Sequence, residues 1–499
     1  MTKPWTGVEW QSPDPKIEIF TKGNASSPDI TYCPDPRAGR WANLLSYTFS
    51  ESVDSLEGSF SFAVEDSGDK EGNTVFDLIP VRSIVKIYEG DLKKPAFVGI
   101  IRRCHFESAM TDQGVRRSIV FTGKSIISCI SEYTISLDVR IHKVADPTSK
   151  RKELTNRLAR ENMTIEKFMK ITWEHFKEVS EEFGISTTGI ADIINKFIGG
   201  SPGVFVEISG QQKFRYNISH VFYNASNNVI ADAWRNILPE PVYEIFSRCN
   251  NKGEPRIVAR QVPFDPADWR KLDVYGISPL SLVSYALDRD DEEVYTAFMS
   301  YIMGSVMSKQ FYMGVSQTSN DDIVAHDREK QMIYGFKPLQ IDFIGYDRQG
   351  NMNDEKKSDL RTELKELNEK MKYWYSRLDE MYSGTITLIT DFNQPETNPR
   401  VGCRARFLGG EFYIEQAEHS WKYGGTPTIK LTVSRGMNYD LSNGKMMIPM
   451  SNVGRKYKKL DVTAVGIVGF KPASTVTDIL GFRPADSVAD IVGYKPAKQ

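Results

Sequence analysis

Phe412-Tyr413-Ile414-Glu415-Gln416-Ala417-Glu418-His419-Ser420-Trp421 is followed by the pair Gly424-Gly425 and then by Ile429-Lys430-Leu431-Thr432-Val433. Both runs have a two-residue rhythm, which in an extended chain sends one set of side chains to a core and the other away from it. Two such runs separated by a glycine-containing turn predict a β-hairpin, closing at Ser434-Arg435-Gly436. Upstream, Gly384-Thr385-Ile386-Thr387-Leu388 alternates in the same way. The C-terminal part of the chain is therefore expected to be an all-β unit, with Ile386 and Leu388 facing inward.

Working outward, the same rhythm governs the first part of the chain. Leu45, Tyr47 and Phe49 alternate with Ser46, Thr48 and Ser50, and Phe60, Phe62 and Val64 repeat the pattern. Further strands are predicted at Val81 to Tyr88, Phe97 to Phe106 and Arg116 to Thr122. Short strands at this spacing predict a barrel or sandwich of about 120 residues.

The middle of the chain changes period. Thr164 is placed to cap a helix with Ile165, Phe168, Met169, Phe176, Val179 and Phe183 on one face, stopped by Gly184. A second short helix is expected over Gly189 to Ile198, ending at Gly199-Gly200. The longest helix is predicted from Glu355 to Tyr382, where Leu360, Leu364, Leu367, Met371, Trp374 and Leu378 recur every three or four residues. That stripe is a core face, and the helix's length suits a bridge between domains.

Composition excludes several classes of function. The 499 residues exceed one compact core and predict several domains. With 63 basic and 65 acidic side chains the net charge is −2, which argues against a protein that holds nucleic acid mainly by neutralising phosphates. No run approaches the length of a membrane-spanning helix, and Met1-Thr2-Lys3-Pro4-Trp5 lacks the apolar core of a secretory leader. Cys33, Cys104, Cys129, Cys249 and Cys403 are scattered and form no CxxC pair, so they are expected as buried apolar residues made in a reducing cytosol.

Candidate chemistry is sparse. His419 lies next to Glu418, which alternation sends to the opposite face, whereas Glu415 shares its face four residues away. His142, His175, His220 and His326 lack ligand spacing, and there is no HExxH. Asp288, Asp290, Asp291, Glu292 and Glu293 supply oxygens of the kind that bind calcium, but without the EF-hand spacing or its glycine they are expected to form a solvated loop or helix start. Lys150-Arg151-Lys152, with Arg157 and Arg160, is diluted by Glu153 and Glu161 and is expected as a solvated helix face. These observations predict no catalytic residues, no metal and no cofactor.

The C-terminal segment repeats. Thr463-Ala464-Val465-Gly466-Ile467-Val468-Gly469-Phe470-Lys471-Pro472-Ala473 returns as Thr475 to Ala485 and again as Ser487 to Ala497, with a period of 12 residues. Thr475 with Asp478 and Ser487 with Asp490 resemble capping boxes. Units this short cannot bury their own apolar side chains, so they are expected to dock. Phe470, Phe482 and Tyr494, each followed two residues later by Pro472, Pro484 and Pro496, are the expected anchors.

Four segments, in order, resemble the baseplate hub family of contractile phage tails and related injection systems. They are Leu56 to Phe62 with Ile87-Tyr88-Glu89-Gly90 and Phe97-Val98-Gly99-Ile100-Ile101; Pro241 to Phe246 with Ala259 to Asp265; Tyr373-Trp374-Tyr375 leading into Ser383 to Thr387; and Phe412 to Ser420 closing at Ser434-Arg435-Gly436. The resemblance implies a mainly β, α+β chain with two tube-like antiparallel β-barrels. Together with the periodicities above, this divides the chain into an N-terminal extension at 1–14, the first barrel at 15–138, and a helical insertion at 139–213 to which the resemblance gives no role. A mixed middle domain at 214–335 and a connector with the long helix at 336–382 would follow. The final part of the second barrel would occupy 383–447, and the repeat-containing tail 448–499. The resemblance further implies a homotrimer whose six barrels join the tail tube protein to the central spike protein, in a virion baseplate assembled in the host cytoplasm. DNA would be only passing cargo; the repeats, to which the resemblance gives no role, are expected from their own pattern to meet other baseplate proteins. The insertion and the repeats depart from the family pattern. A tail-tip cell-wall hydrolase with hub-like barrels and a host-binding fibre adaptor are the alternatives.

Overall fold

A computed structural model of the chain describes residues 15–21, 28–34, 44–66, 75–90, 94–111, 114–132, 168–174, 204–205, 230–249, 253, 255–264, 266–303, 324–344, 354–390, 398–408, 410–437, 439–440 and 445–446. The protein is mainly β. In chain order the strands are β1 (Lys16–Phe20), β2 (Ile30–Tyr32), β3 (Leu44–Ser52), β4 (Ser55–Glu65), β5 (Ile84–Tyr88), β6 (Phe97–Thr111) and β7 (Gly114–Ser125). There follow β8 (Val204–Phe205), β9 (Tyr243–Cys249), β10 (Pro255–Gln261), β11 (Val274–Gly276), β12 (Leu282–Asp288), β13 (Ala297–Met303), β14 (Ala325–His326) and β15 (Pro338–Ile344). The last group is β16 (Tyr382–Ile389), β17 (Arg404–Phe407), β18 (Gly410–Lys422), β19 (Thr428–Met437) and a small pair, β20 (Tyr439–Asp440) with β21 (Lys445–Met446).

One large sheet dominates, in the order β2-β1-β5-β6-β7-β4-β3-β18-β19-β16-β12. Every pairing along that path is antiparallel, and β17 joins β18 with β11 parallel beside it. The N- and C-terminal β segments are thus parts of one sheet. Among the described residues no pairing closes that sheet into a barrel. Strands β11 and β12, upstream of the long helix, complete the C-terminal part.

Alternation explains the cores. Phe60 and Phe62 on β4 and Ile386 and Leu388 on β16 are buried. Phe60 lies against Gly99 and Gly123, where an added Cβ would come within 2.5 and 2.6 Å of its ring. Those glycines let a large aromatic approach the backbone of β6 and β7 closely. Two expected strand starts shift. A register irregularity between Leu44 and Ser46 puts Leu44 in the core in place of Leu45. Val81 is exposed and Arg82 adopts φ 74°, so β5 begins only at Ile84.

A second core gathers around the buried Trp173, Trp234, Trp269 and Trp374 and takes in residues of both β segments, among them Leu56, Val98 and Tyr413. The 168–174 helix contributes Phe168, Met169 and Trp173, and the helix Ile230–Ile237 contributes Trp234, whose indole donates to Thr172 Oγ1 at 2.8 Å. The long helix spans Asp354–Tyr375, shorter than its periodicity predicts. A 3-10 turn, Leu378–Glu380, follows it and keeps Leu378 packed on the core. The stripe therefore outlasts the α-helix, and β16 starts at Tyr382.

Candidate functional site

The two β segments meet where β3 pairs with β18, from Gln416↔Ser52 to Lys422↔Ser46. Phe49 stands opposite His419, with ring centroids 4.4 Å apart and planes 14° from parallel. Two residues on, Tyr47 stands opposite Trp421 and stacks on it at 6.0 Å. Cross-strand aromatic pairs of this kind each contribute up to about 1 kcal/mol. Beneath the pairs lies a buried polar cluster. His419 Nδ1 is 2.8 Å from Glu89 Oε1, and both residues are almost fully buried. Burial pushes the Glu89 carboxyl up, but the imidazole beside it, Arg400 and Asn398 more than offset this and hold it below the ordinary carboxylate range. Glu51, 3% exposed on β3, accepts a hydrogen bond from the Cys249 backbone N–H at 3.1 Å. Its carboxyl is raised by burial, which outweighs Arg400, His419 and Arg248.

A second network ties the β9–β10 hairpin to β18. Arg260 Nε donates to Glu244 Oε1 at 2.5 Å, while Arg260 Nη2 donates to the Gly402 carbonyl at 2.6 Å and to the Tyr413 hydroxyl at 2.9 Å. Tyr413 in turn donates to Glu244 at 2.6–2.7 Å. Gly402 has φ 71°, and a Cβ there would lie 2.3 Å from the Phe246 ring, so the turn requires glycine. Nearby, Glu411 accepts from Arg404, Arg406 and the Trp269 indole.

This network forms one wall of a cleft of about 560 Å³. Asp54, Glu240, Glu244, Asp290, Glu292, Glu293 and Glu415 line it, together with tyrosines and Arg435. Arg435 adopts φ 59° and lays its guanidinium 5.1 Å from the Trp374 ring and 5.0 Å from the Tyr413 ring. So many carboxylates around one guanidinium give the cleft a negative potential. Among the lining residues, the Ser434 hydroxyl donates to the Glu415 carboxylate.

The sheet ends at β12, which is exposed over Val283 to Ala286. Val283 is 54% and Tyr285 45% exposed, and Leu280, just before the strand, is 58% exposed. A terminal strand with apolar side chains in the open is a ready surface for pairing.

Glu415 and His419 do not act together. A register shift between Ile414 and Gln416 makes Glu415 the extra residue, and its carboxylate accepts from Ser434 Oγ, whereas His419 turns to Glu89. Asp288 to Glu293 lead from β12 towards β13 and are largely exposed, with Asp290 Oδ1 accepting from the Glu292 N–H. His326 is exposed beside Gln331. The expected anchors Phe470, Pro472, Phe482, Pro484, Tyr494 and Pro496 lie outside the described residues, as do His142, His175, His220 and the basic stretch from Lys150. Glu244 and Arg260 carried a signal that alternation alone overlooks. Each is the one charged residue in an otherwise apolar run, Val242 to Phe246 and Ile257 to Ala259 with Val262.

No family model matches the chain, and no curated protein matches it. Solved structures do. The chain is similar to the 43 kDa tail protein of prophage MuSo2 from Shewanella oneidensis, with 10% identity and a TM-score of 0.44 over 85% of this chain and 98% of that one. It is also similar to a tail protein from Neisseria meningitidis MC58, with 10% identity and a TM-score of 0.46 over 84% and 96%. A third likeness is to a chain of the Francisella PdpA-VgrG complex, with 12% identity and a TM-score of 0.40 over 88% and 59%.

Proposed function

We propose that this chain is a structural protein of a contractile-tail baseplate, a hub that assembles as a trimer and joins a tail tube to a central spike. The observation that carries the reading is the β3–β18 seam, which makes one antiparallel sheet of two β segments far apart in sequence. A chain holding two β units in fixed register suits symmetry adaptation. Three copies present six similar units, so a three-fold assembly offers a pseudo-six-fold face. The ordered hub-like segments of the sequence support the same reading, as does a polar interior spent on binding elements together. Its role is mechanical, with rigid β units transmitting position. Mass photometry of the purified chain tests the assembly, a three-copy species being expected and a chain that stays single within the particle contradicting it.

The C-terminal repeats are proposed to dock on other baseplate proteins through Phe470, Phe482 and Tyr494. Tandem linkage gives avidity, so removing one ring weakens attachment less than removing three. Truncation after Leu460 should reduce incorporation into particles. Unchanged particle composition would refute the docking role.

A further inference from the structure

We propose that Glu51 is a proton-uptake site built into the seam, so that the joint between the two β segments tightens when Glu51 is protonated and slackens when it ionises. The inference does not depend on the hub reading. The two buried carboxyls of the seam have unequal surroundings. Glu89 faces the His419 imidazole at 2.8 Å. Glu51 receives a hydrogen bond from the Cys249 backbone N–H, and its Oε2, like Glu89 Oε2, is buried without a hydrogen-bond partner. It is therefore the partner, an imidazole for Glu89 and a backbone amide for Glu51, that separates the two. An ionised carboxylate deprived of donors is far costlier to bury than the neutral acid.

The charged and titratable groups that act on Glu51 are Arg400, His419 of β18, and Arg248 and Cys249 of β9. Glu89 completes the cluster. The arginines offset part of the cost of ionisation, but burial is the largest effect and the carboxyl stays raised. The sign follows. A carboxyl whose value rises on folding binds a proton more tightly in the folded chain. Its contribution to stability is present at low pH and is lost as pH climbs from the unfolded value through the folded one.

The test compares thermal unfolding of the full chain and of Glu51→Gln between about pH 5 and about pH 8. The amide keeps an acceptor for the Cys249 N–H and cannot ionise. The variant's midpoint is expected to rise relative to the unaltered chain with increasing pH, by a few degrees across the range. Parallel curves would overturn the proposal. Repeating the pair in a His419→Gln background takes the imidazole out of the cluster, and the divergence should persist. Should Glu51→Gln fail to fold, infrared spectra of the chain with Glu51 intact and isotope-labelled glutamate decide. Because burial also raises the Glu415 carboxyl, the spectra are taken in a Glu415→Gln background. A protonated-carboxyl band at about pH 6, where ordinary glutamates are ionised, is expected, and its absence would refute the site.

Discussion

Glu244 and Arg260 stand directly opposite each other on β9 and β10, and both charges are buried. The Gly402 carbonyl and the Tyr413 hydroxyl both accept from Arg260, and Tyr413 donates to Glu244, so the pair fastens the hairpin to β18. Removing one partner strands the other charge in a dry setting. Arg260→Ala should therefore cost about 3–5 kcal/mol in denaturant unfolding. A double variant, Glu244→Leu with Arg260→Leu, should lose less than the two single changes summed. Additive losses would show that the charges are not coupled.

Glu89 gives the opposite pH signature to Glu51. Its carboxyl is depressed in the folded chain, so its stabilising contribution is present above the unfolded value and is lost as pH falls through the lower folded value. Glu89→Gln should lower the unfolding midpoint near neutral pH, and the difference should shrink in acid. A difference that does not change with pH would mean that packing, and not charge, is what Glu89 supplies.

At Gly402 the backbone is left-handed and the Phe246 ring fills the space where a Cβ would go. Gly402→Ala should destabilise by more than about 1 kcal/mol, read as a lower denaturant midpoint. An unchanged midpoint would show that the turn relaxes.

Much of the fold was legible in the sequence because its signals are local. Phe60 and Phe62, like Ile386 and Leu388, keep strict alternation and are buried as expected. The turn at Gly424-Gly425 joins β18 and β19 as the hairpin signal predicts. What stayed hidden depends on distant partners. Nothing near Phe49 indicates that His419 faces it, and nothing near His419 indicates Glu89. The register shift at Glu415 is likewise invisible to a simple count of two, which puts Glu415 on the same face as His419. Strands β11 and β12 also gave no local sign that they complete the C-terminal part of the sheet.

The exposed apolar residues of β12 should matter chiefly for assembly. Val283→Lys and Tyr285→Lys place charges on a terminal strand, where they discourage edge pairing. Val283→Lys should leave stability within about 0.5 kcal/mol of the unaltered chain. Tyr285→Lys should lose up to about 1.5 kcal/mol with its edge-to-face contact to Phe407. Both should reduce self-association in sedimentation experiments. Unaltered association would move the contact elsewhere.

The most direct test of the account is an image of an intact particle in which this chain carries a fusion label. The account predicts three labels arranged about the tail axis where the tube meets the spike. Labels at the baseplate periphery, or one label per particle, would contradict it.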